Sequence, residues 1–292
     1  MRIPRVFVSL VALAAVTVAL ASPATAAMPG DPLQPQAPDR PLRVMTFNIH
    51  HAAGTDDVLD LSRIAQVIRD SRLDVVGLQE VDRHYGARSN FVDQASWLAR
   101  ELNMHVVYGA NLDLDPLSPG QPRRQYGTAI LSNFPILDWD NTYLPRFANH
   151  EQRGLLRARI NVRGAPVQVY NTHLQHNDAA ERVAQAQAIT QLIGTPEESV
   201  VLVGDLNATP AAPEIRTLVE NLVDAWEAAG AGEGHTHPAE DPTHRIDYIL
   251  QSGDVVARTI AVVTSPVAAT ASDDLPVVAD LALPGQKVGI GG

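Results

Sequence analysis

The sequence predicts a single α/β domain that has many short strands and fewer helices. The chain first shows a strand, a helix and a second strand, and β-rich runs then recur as far as Leu283 without a repeat or a linker. This alternation of extended and amphipathic helical patterns is typical of α/β domains. The 292 residues are 45% hydrophobic and include no cysteine, so the chain can bury a substantial core without disulfides. We place the domain at residues 41–284.

The first elements are two strands on either side of a helix. Residues 42–49 and 74–80 are apolar runs rich in β-forming residues. Between them, Ile64 and Ile68 lie on one face of a helix predicted over residues 60–71, because residues four apart share a helix face.

Two more helices and several more strands follow. An apolar stripe predicts a helix over residues 91–102, and Asp178 is a typical N-cap for a helix that runs towards Ile193. The remaining strands are expected at residues 127–132, 155–162, 167–172, 200–204, 246–251, 255–263 and 277–283.

The first 26 residues have the pattern of a signal peptide. Arg2 and Arg5 precede an apolar run over residues 6–21, and residues 24–26 (Ala-Thr-Ala) form a small-x-small cleavage pattern. The alternative is a membrane anchor, but the run is short for a spanning helix. We expect cleavage near Ala26, secretion of the mature chain, and no stable membrane insertion.

Short segments on both sides of the domain have the composition of flexible chain. Residues 27–40 are rich in proline and predict a flexible lead-in, and the glycine-rich residues 285–292 predict a flexible tail. We expect the domain between them to be a monomer.

The charge balance is acidic. There are 33 acidic and 22 basic residues, which give a formal net charge of -11. Tight binding of duplex DNA requires many basic contacts to phosphates, so this balance argues against it. It does not exclude nuclease chemistry, because the carboxylates of a metal site contribute to the same negative sum.

Polar side chains stand at the ends of four predicted strands. They are Asn48, Glu80, His173 and the pair Asp205 and Asn207. Any one of them alone is explained as a buried polar residue with a hydrogen-bond partner. Together they include the oxygen ligands that Mg²⁺ prefers, so the sequence predicts a metal and phosphate site where the strands end.

The motifs around these residues resemble the endonuclease/exonuclease/phosphatase superfamily, whose members have a deoxyribonuclease I-like fold. The matching segments occur in the family's order and cover nearly the whole domain. They are residues 46–48, 78–81, 126–132, 171–174, 204–207, 245–248 and 272–278. The resemblance implies a four-layer α/β sandwich, with two mixed β-sheets packed face to face and helices outside. It also implies hydrolysis of phosphodiesters or phosphomonoesters with Mg²⁺ or Mn²⁺.

The resemblance implies which residues form the metal-binding side of the site. Glu80 matches the direct metal ligand and Asn48 matches its partner, which also contributes to phosphate binding. Asp273 matches a second carboxylate on the metal side.

The resemblance also implies a side that binds phosphate and activates water. His173 matches the residue that contacts the scissile phosphate, Asp205 the group that orients or activates the attacking water, and Asn207 the neighbour that holds the phosphate. Asn171, from the same motif as His173, is assigned to phosphate binding. Arg153 adds a candidate phosphate clamp, although an arginine after a loop is commonly a surface residue.

The closing motif departs from the family pattern. The family has Ser-Asp-His, whereas this chain has Ser272-Asp273-Asp274. Asp247 occupies the place of the carboxylate that normally orients the missing histidine. We consider three consequences: reduced activity or binding without turnover, a protonated Asp274 that donates a hydrogen bond, or an extra cation. The sequence favours the first. If Asp247 and Asp274 face each other, one pKa should rise.

The other histidines are interpreted without a catalytic or metal-binding role. His50 and His51 follow the Asn48 strand and are expected beside the cleft. The segment with His235, His237 and His244 is expected to be an exposed loop, in which His244 lies close in sequence to Asp247. A zinc cluster is not indicated, because no His-Glu-x-x-His pattern and no cysteine are present.

These patterns predict a secreted metal-dependent phosphoesterase, and most plausibly a phosphodiesterase. The alternatives are a phosphoryl-ligand binding protein without turnover and, with less support, a nuclease. A small or lipid-linked phosphoester is favoured over duplex DNA as the substrate. Residues 110–126 are expected to form a loop that helps to select it.

Overall fold

The computed structural model describes residues 39–285. The predicted signal peptide, the lead-in except its last two residues, and the tail after residue 285 lie outside the described residues. Within the described part there are twelve strands: β1 Arg40–Asn48, β2 Val75–Arg83, β3 His105–Leu114, β4 Arg124–Ser132, β5 Ile136–Tyr143, β6 Gly154–Val162, β7 Ala165–His173, β8 Ser199–Asp205, β9 Val223–Asp224, β10 Asp247–Gln251, β11 Val256–Val262 and β12 Val277–Leu283.

Six α-helices accompany these strands within residues 39–285. They are α1 Leu61–Asp70, α2 Gln94–Leu102, α3 Ala179–Ile193, α4 Pro213–Val219, α5 Ala225–Ala229 and α6 Ala268–Ala271. The three predicted helices are confirmed, and their first turns are capped by Asp60, Asp93 and Asp178, whose carboxylates accept backbone hydrogen bonds. None of the described helices has the length and apolar character needed to cross a bilayer.

The strands form two six-stranded sheets. The first has the order β11-β12-β1-β2-β4-β3 and the second β5-β6-β7-β8-β10-β9. β1 pairs with β2 in parallel, as β7 does with β8, and the other pairs are antiparallel. The second sheet is one contiguous stretch of chain, residues 136–251. The first sheet combines strands from before and after that stretch.

Apolar side chains fill three layers between the sheets and helices. The central layer joins the two sheets and includes Val44 and Ile130 of the first with Val169 and Val203 of the second. One outer layer packs α1, α2 and α6 on the first sheet, and the other packs α3 and α4 on the second. The four-layer α/β sandwich implied by the resemblance is therefore confirmed.

The topology brings the predicted site residues to one rim of the sandwich. β1 and β2 are parallel, so Asn48 and the end of β2 meet at the same edge. In the second sheet, His173 pairs in register with Asp205. Asp205 also pairs with Asp247 at the start of the antiparallel β10. The carboxyl ends of parallel strands are the usual place for a site in such sheets.

Some elements differ from those predicted. Residues 110–126 do not form one loop, because β3 extends to Leu114 and β4 begins at Arg124, which leaves only residues 115–123 between them. Phe91 precedes α2 instead of belonging to it, and its backbone φ of 55° is incompatible with a right-handed helix.

Candidate active site

Asn48 connects the two sheets at the rim. Its side chain is 3% exposed, and its Nδ2 donates to Oε1 of Glu80 at 3.3 Å and to Oδ2 of Asp205 at 3.0 Å. Its Oδ1 accepts from the backbone N–H of His50 at 3.1 Å. One buried amide therefore fixes the distance between the predicted metal ligand and the predicted water-activating carboxylate.

Glu80 reaches the site because β2 is irregular at that point. The register of β2 against β4 shifts between Leu78 and Val81, and Glu80 has a φ of 57°. Such a bulge redirects a side chain that the regular strand would place elsewhere. Burial raises the pKa of Glu80, the hydrogen bond from Asn48 opposes that rise, and the charge of Asp273 adds to it.

Two imidazoles lie beside Glu80. His50 and His51 stand in a short 3-10 turn with φ values of 43° and 44°, and their ring nitrogens and a carboxylate oxygen of Glu80 all lie within 4.8 Å of one another. Burial, followed by the charges of Arg88 and His50, lowers the pKa of His51 to about 4. His51 is therefore a neutral imidazole at ordinary pH.

This side of the rim fits a divalent cation. His50 Nδ1 lies 3.8 Å from Oδ1 of Asp273, so carboxylates and imidazoles approach the same position from two elements. Carboxylates that lie close together repel each other, and a cation between them relieves that repulsion. Glu80 and Asp273 supply the oxygen ligands expected for Mg²⁺ or Mn²⁺, and imidazole nitrogens suit Mn²⁺ better than Mg²⁺.

Asp205 is the most extensively held carboxylate of the rim. Its Oδ1 accepts from the backbone N–H of Asn207 at 2.9 Å, and its Oδ2 accepts from Asn48 and lies 3.4 Å from Nε2 of His173. Burial raises its pKa, and these hydrogen bonds oppose that rise. The carboxylate is thus fixed in direction and made more basic than an exposed aspartate, as a water-activating group requires.

His173 and Arg153 form the phosphate-binding candidates beside Asp205. Burial, followed by the charges of Arg153 and His176, holds the pKa of His173 well below its ordinary value, and its Nδ1 has no hydrogen-bond partner in the described part of the chain. Arg153 is not a surface residue, since it is 3% exposed. Its guanidinium contacts Glu151 at 2.9 Å and His176 at 3.3 Å, and its Nε has no hydrogen-bond partner among the described residues. A buried arginine with unused donors suits an anionic ligand.

Asn207 and Asn171 have different surroundings from each other. Asn207 lies at the rim, where its Nδ2 donates to the backbone oxygen of Leu174 at 3.1 Å. Asn171 is fully buried, and its Nδ2 donates to the backbone oxygens of Leu78 and Ala129 at 2.9 and 2.8 Å. Its Oδ1 accepts from Gln79 at 2.6 Å. Since both its donor hydrogens are used between the sheets, Asn171 contacts phosphate only if this network opens.

Asp247 and Asp274 are both buried at the rim. Burial, the charge of Asp274 and the charge of Asp205 raise the pKa of Asp247 well above its ordinary value. Within residues 39–285 neither of its carboxylate oxygens has a hydrogen-bond partner, although the Thr236 hydroxyl lies close enough to oppose the rise in that pKa. The pKa of Asp274 is also raised well above its ordinary value, by burial first and then by Asp205 and Asp273. The two facing carboxylates thus disfavour each other's ionisation.

Sequence reasoning missed the contact of His237 with this pair. His237 Nδ1 lies 3.0 Å from Oδ1 of Asp274, although the sequence places this histidine in an exposed loop. His244, which is nearer to Asp247 in sequence, is exposed, and its ring nitrogen Nδ1 contacts the Thr243 hydroxyl. Periodicity gives no signal for His237, because its position depends on how an irregular segment folds over the rim.

These residues together can bind and activate a phosphoester. Arg153 and His173 can donate to phosphate oxygens, and Asp205 can orient a water molecule and accept its proton. A divalent cation bound by Glu80 and Asp273 would neutralise charge that grows on the phosphate during attack.

Comparison with known proteins finds similar chains. Protein cwh43 of Schizosaccharomyces pombe is 28% identical over 144 residues, which are 49% of this chain and 14% of that protein. Phospholipase C of Staphylococcus aureus is 26% identical over 155 residues, which are 44% of this chain and 46% of that protein. The matches thus span less than half of either relative. The solved structure of an endonuclease/exonuclease/phosphatase from Beutenbergia cavernae is 28% identical, has a TM-score of 0.71, and covers 85% of this chain and 72% of that one.

The sequence pattern of the Endonuclease/Exonuclease/phosphatase family matches residues 45–273. This range begins in β1, just before Asn48, and ends at Asp273, so it contains both sides of the rim except Asp274. Members of the family are hydrolases that act on phosphoesters, and they generally depend on a divalent metal. The match covers well over half of the sequence and agrees with the sandwich and with the residues at its rim, and the chain belongs to the endonuclease/exonuclease/phosphatase family.

Proposed function

We propose that this protein is a metal-dependent phosphodiesterase. The observation that carries the proposal is the position of the buried Asn48 amide, which donates to both Glu80 and Asp205. A ligand for a cation and a base for water are thereby held a few ångströms apart at one rim. That separation suits in-line attack of water on a phosphorus atom between them.

Residues of the described rim bind the phosphate and accept the proton of the attacking water. Arg153 and His173 hold the non-bridging oxygens of the phosphate, and Asn207 fixes Asp205 through its backbone N–H. The oxygen of water forms a bond to phosphorus, the water proton passes to Asp205, and the bond to the leaving oxygen breaks. The leaving oxygen takes a proton from solvent. Glu80 and Asp273 would hold a divalent cation, Mg²⁺ or Mn²⁺, which would lower the charge that this displacement builds up.

We propose a small or lipid-linked phosphodiester as the substrate. A cavity of about 440 Å³ opens between residues 84–91 and 117–124, at the rim end of β2 and β4, and includes the exposed side chains of Phe91 and Leu117. Such a cavity can receive an apolar part of a substrate. The similarity to a phospholipase C supports a lipid-linked phosphate. The net charge of -11 disfavours duplex DNA.

A phosphoryl-ligand binding protein without turnover is the second candidate. The closing motif favours it, because Asp274 stands where the family pattern has an imidazole that donates to phosphate, and an ionised carboxylate there would repel a phosphate oxygen. On this proposal the substitution at Asp274 lowers or abolishes turnover, while Arg153 still retains the phosphate. A nuclease with residual activity is a weaker third candidate.

We also propose that the protein acts outside the cell. The sequence pattern over residues 1–26 supports export with cleavage near Ala26, and the mature chain would then act as a monomer. Mass spectrometry of the protein secreted by its own host tests the cleavage position. Sedimentation of that product tests the monomer.

The first experiment measures hydrolysis by the mature chain with Mg²⁺ or Mn²⁺. The substrates are a chromogenic phosphodiester, vesicles that contain phosphatidylinositol or sphingomyelin, and plasmid DNA. Asp205→Ala should lower kcat/KM by roughly 10²- to 10⁴-fold. Glu220→Gln, which removes an exposed carboxylate far in sequence from the rim residues, is the matched control and should leave turnover unchanged.

Three results would contradict the proposal. Binding of inorganic phosphate without turnover of any substrate would support the binding protein instead. Preferential cleavage of DNA would support the nuclease. Equal loss of activity in Asp205→Ala and Glu220→Gln would show that the measured turnover does not depend on the rim.

A further inference from the structure

We propose that His237 supplies the imidazole that the closing motif lacks, and that Asp274 is the carboxylate that positions it. The inference rests on the proposed function, since it assigns a catalytic residue to the same site. In the family pattern the imidazole follows Ser272-Asp273 and Asp247 orients it. Here the two chemical groups are retained, but a different loop provides the imidazole and the closing motif provides the carboxylate.

The first observation is the contact between these groups. His237 Nδ1 lies 3.0 Å from Oδ1 of Asp274, which is hydrogen-bond distance. Asp274 is 3% exposed and therefore has little freedom to move, whereas the His237 side chain is 41% exposed. A buried carboxylate that holds one nitrogen of a partly exposed imidazole fixes the ring and directs its other nitrogen.

The second observation is that the backbone fixes the His237 segment against the closing motif. The backbone N–H of Leu275 donates to the oxygen of Thr236 at 2.9 Å, and that of Ala239 donates to the oxygen of Asp273 at 2.8 Å. His237 lies between these two hydrogen bonds. Its own backbone also forms an isolated antiparallel bridge with that of His244. The ring position is therefore set by main-chain contacts on both sides.

The third observation concerns the free nitrogen of the ring. His237 Nε2 has no hydrogen-bond partner among residues 39–285. The ring lies close enough to Asp205 and Asp247 that its charge favours the ionised form of both. With one proton shared between Nδ1 and Asp274, Nε2–H is available to a ligand next to Asp205.

The charges around the rim explain why an imidazole is needed there. Burial first, and then the charges of neighbouring carboxylates, raise the pKa of Asp247 and Asp274. A phosphate on this side would meet carboxylates alone unless a donor intervenes. In the proposed role His237 Nε2–H donates to a non-bridging phosphate oxygen and keeps its proton throughout, so its contribution is charge stabilisation.

Activity measurements on variants of His237 and Asp274 test this assignment. His237→Ala should lower kcat/KM for the chromogenic phosphodiester by roughly 10²-fold, the effect of losing one transition-state donor. Added imidazole should restore part of this loss, because the vacated position is partly exposed. The double variant His237→Ala/Asp274→His places an imidazole beside the unpartnered Asp247 and should also recover activity. His244→Ala, from the same loop, is the matched control and should keep wild-type turnover.

A binding measurement on the wild-type protein separates this inference from the proposed function. Inorganic phosphate, with Mg²⁺ present, should shift the ring resonances of His237 in an NMR titration, with the signal assigned by its absence in His237→Ala. Asp274→Asn should weaken that response while the far-UV spectrum stays native. These signals require no turnover, and the phosphate response is first measured on the wild-type protein.

The outcomes are distinct. Loss of turnover in His237→Ala, with rescue by imidazole or by the double variant, supports the assignment. If the wild type has no turnover yet phosphate shifts the His237 ring, the phosphodiesterase proposal fails and the assignment to phosphate contact stands. Wild-type turnover in His237→Ala, or a His237 ring that does not respond to phosphate, would overturn the assignment.

Discussion

Replacing Asn171 by alanine distinguishes a structural role for this residue from the phosphate-binding role that the sequence assigns to it. The fully buried amide makes three hydrogen bonds, to the backbone oxygens of Leu78 and Ala129 and from Gln79. Its two partners on β2 and the one on β4 belong to the first sheet, whereas Asn171 belongs to β7 of the second. The variant therefore removes a polar link between the sheets.

The expected loss of stability follows from the number of hydrogen bonds that the variant removes. Each hydrogen bond contributes about 1 kcal/mol net, so Asn171→Ala should lower the free energy of unfolding by about 3 kcal/mol. Gln79 keeps a second partner, because its Nε2 also donates to Thr46 at 3.1 Å, and this limits the added cost of an unpaired donor. For a domain of this size, 3 kcal/mol corresponds to a fall in Tm of roughly 6–12 °C.

Urea unfolding followed by tryptophan fluorescence measures this change, with Asn221→Ala as the matched control. Asn221 is exposed and its side chain forms no hydrogen bond in the described structure, so its removal should change stability by less than about 0.5 kcal/mol. The affinity of folded Asn171→Ala for inorganic phosphate should stay within about twofold of wild type, which corresponds to about 0.4 kcal/mol. Unchanged stability together with lost phosphate binding would refute the structural assignment and support the sequence-based one.

Further predictions concern the charges at the rim. Glu80→Gln should weaken Mn²⁺ binding at least about tenfold in calorimetry, because a carboxylate ligand is lost, and an unchanged affinity would remove Glu80 from the metal site. Arg153→Met should weaken binding of inorganic phosphate with little effect on Mn²⁺, which the same calorimetry compares. Asp247 has a raised pKa in the folded protein, so its neutral form is favoured and its contribution to stability is lost as pH rises above the unfolded value. Asp247→Asn should therefore raise Tm at pH 7–8 more than at pH 4, and a uniform or absent increase would contradict this linkage. Mn²⁺ should raise the wild-type Tm in a concentration-dependent way, and excess chelator should reverse it.

Local signals predicted much of the secondary structure. The helix after Asp60 combines an acidic N-cap with apolar residues at helical spacing, so its prediction needed no tertiary information. Strand β5 was missed because it lies at a sheet edge, where Asp138 and the half-exposed Trp139 interrupt any alternation of apolar and polar residues. Strand β3 was missed because its rim end was assigned to the adjoining loop.

The site shows the same division between local and long-range information. Asn48, Glu80 and Asp205 lie at the ends of apolar strands, and the sequence predicts a site there from the residue types and the family resemblance. The structure explains why they meet, because β1 and β2, and β7 and β8, are parallel pairs. The burial of Arg153 and the contact of His237 with Asp274 were not predicted. Both depend on how irregular segments fold back over the rim, and the spacing of residues in the sequence does not predict that.

Because the chain is synthesised from its N-terminus, the topology determines when the rim can be complete. The second sheet forms from residues 136–251, an uninterrupted stretch that lies between the two segments of the first sheet. In the first sheet the earliest strand, β1, lies between β2 and β12, the last strand to be made. Until β12 leaves the ribosome, Asn48 stands on an unpaired edge and Asp273 has no fixed place beside it. A nascent chain therefore lacks part of the rim, and the proposed hydrolysis requires that the two ends of the domain have first joined.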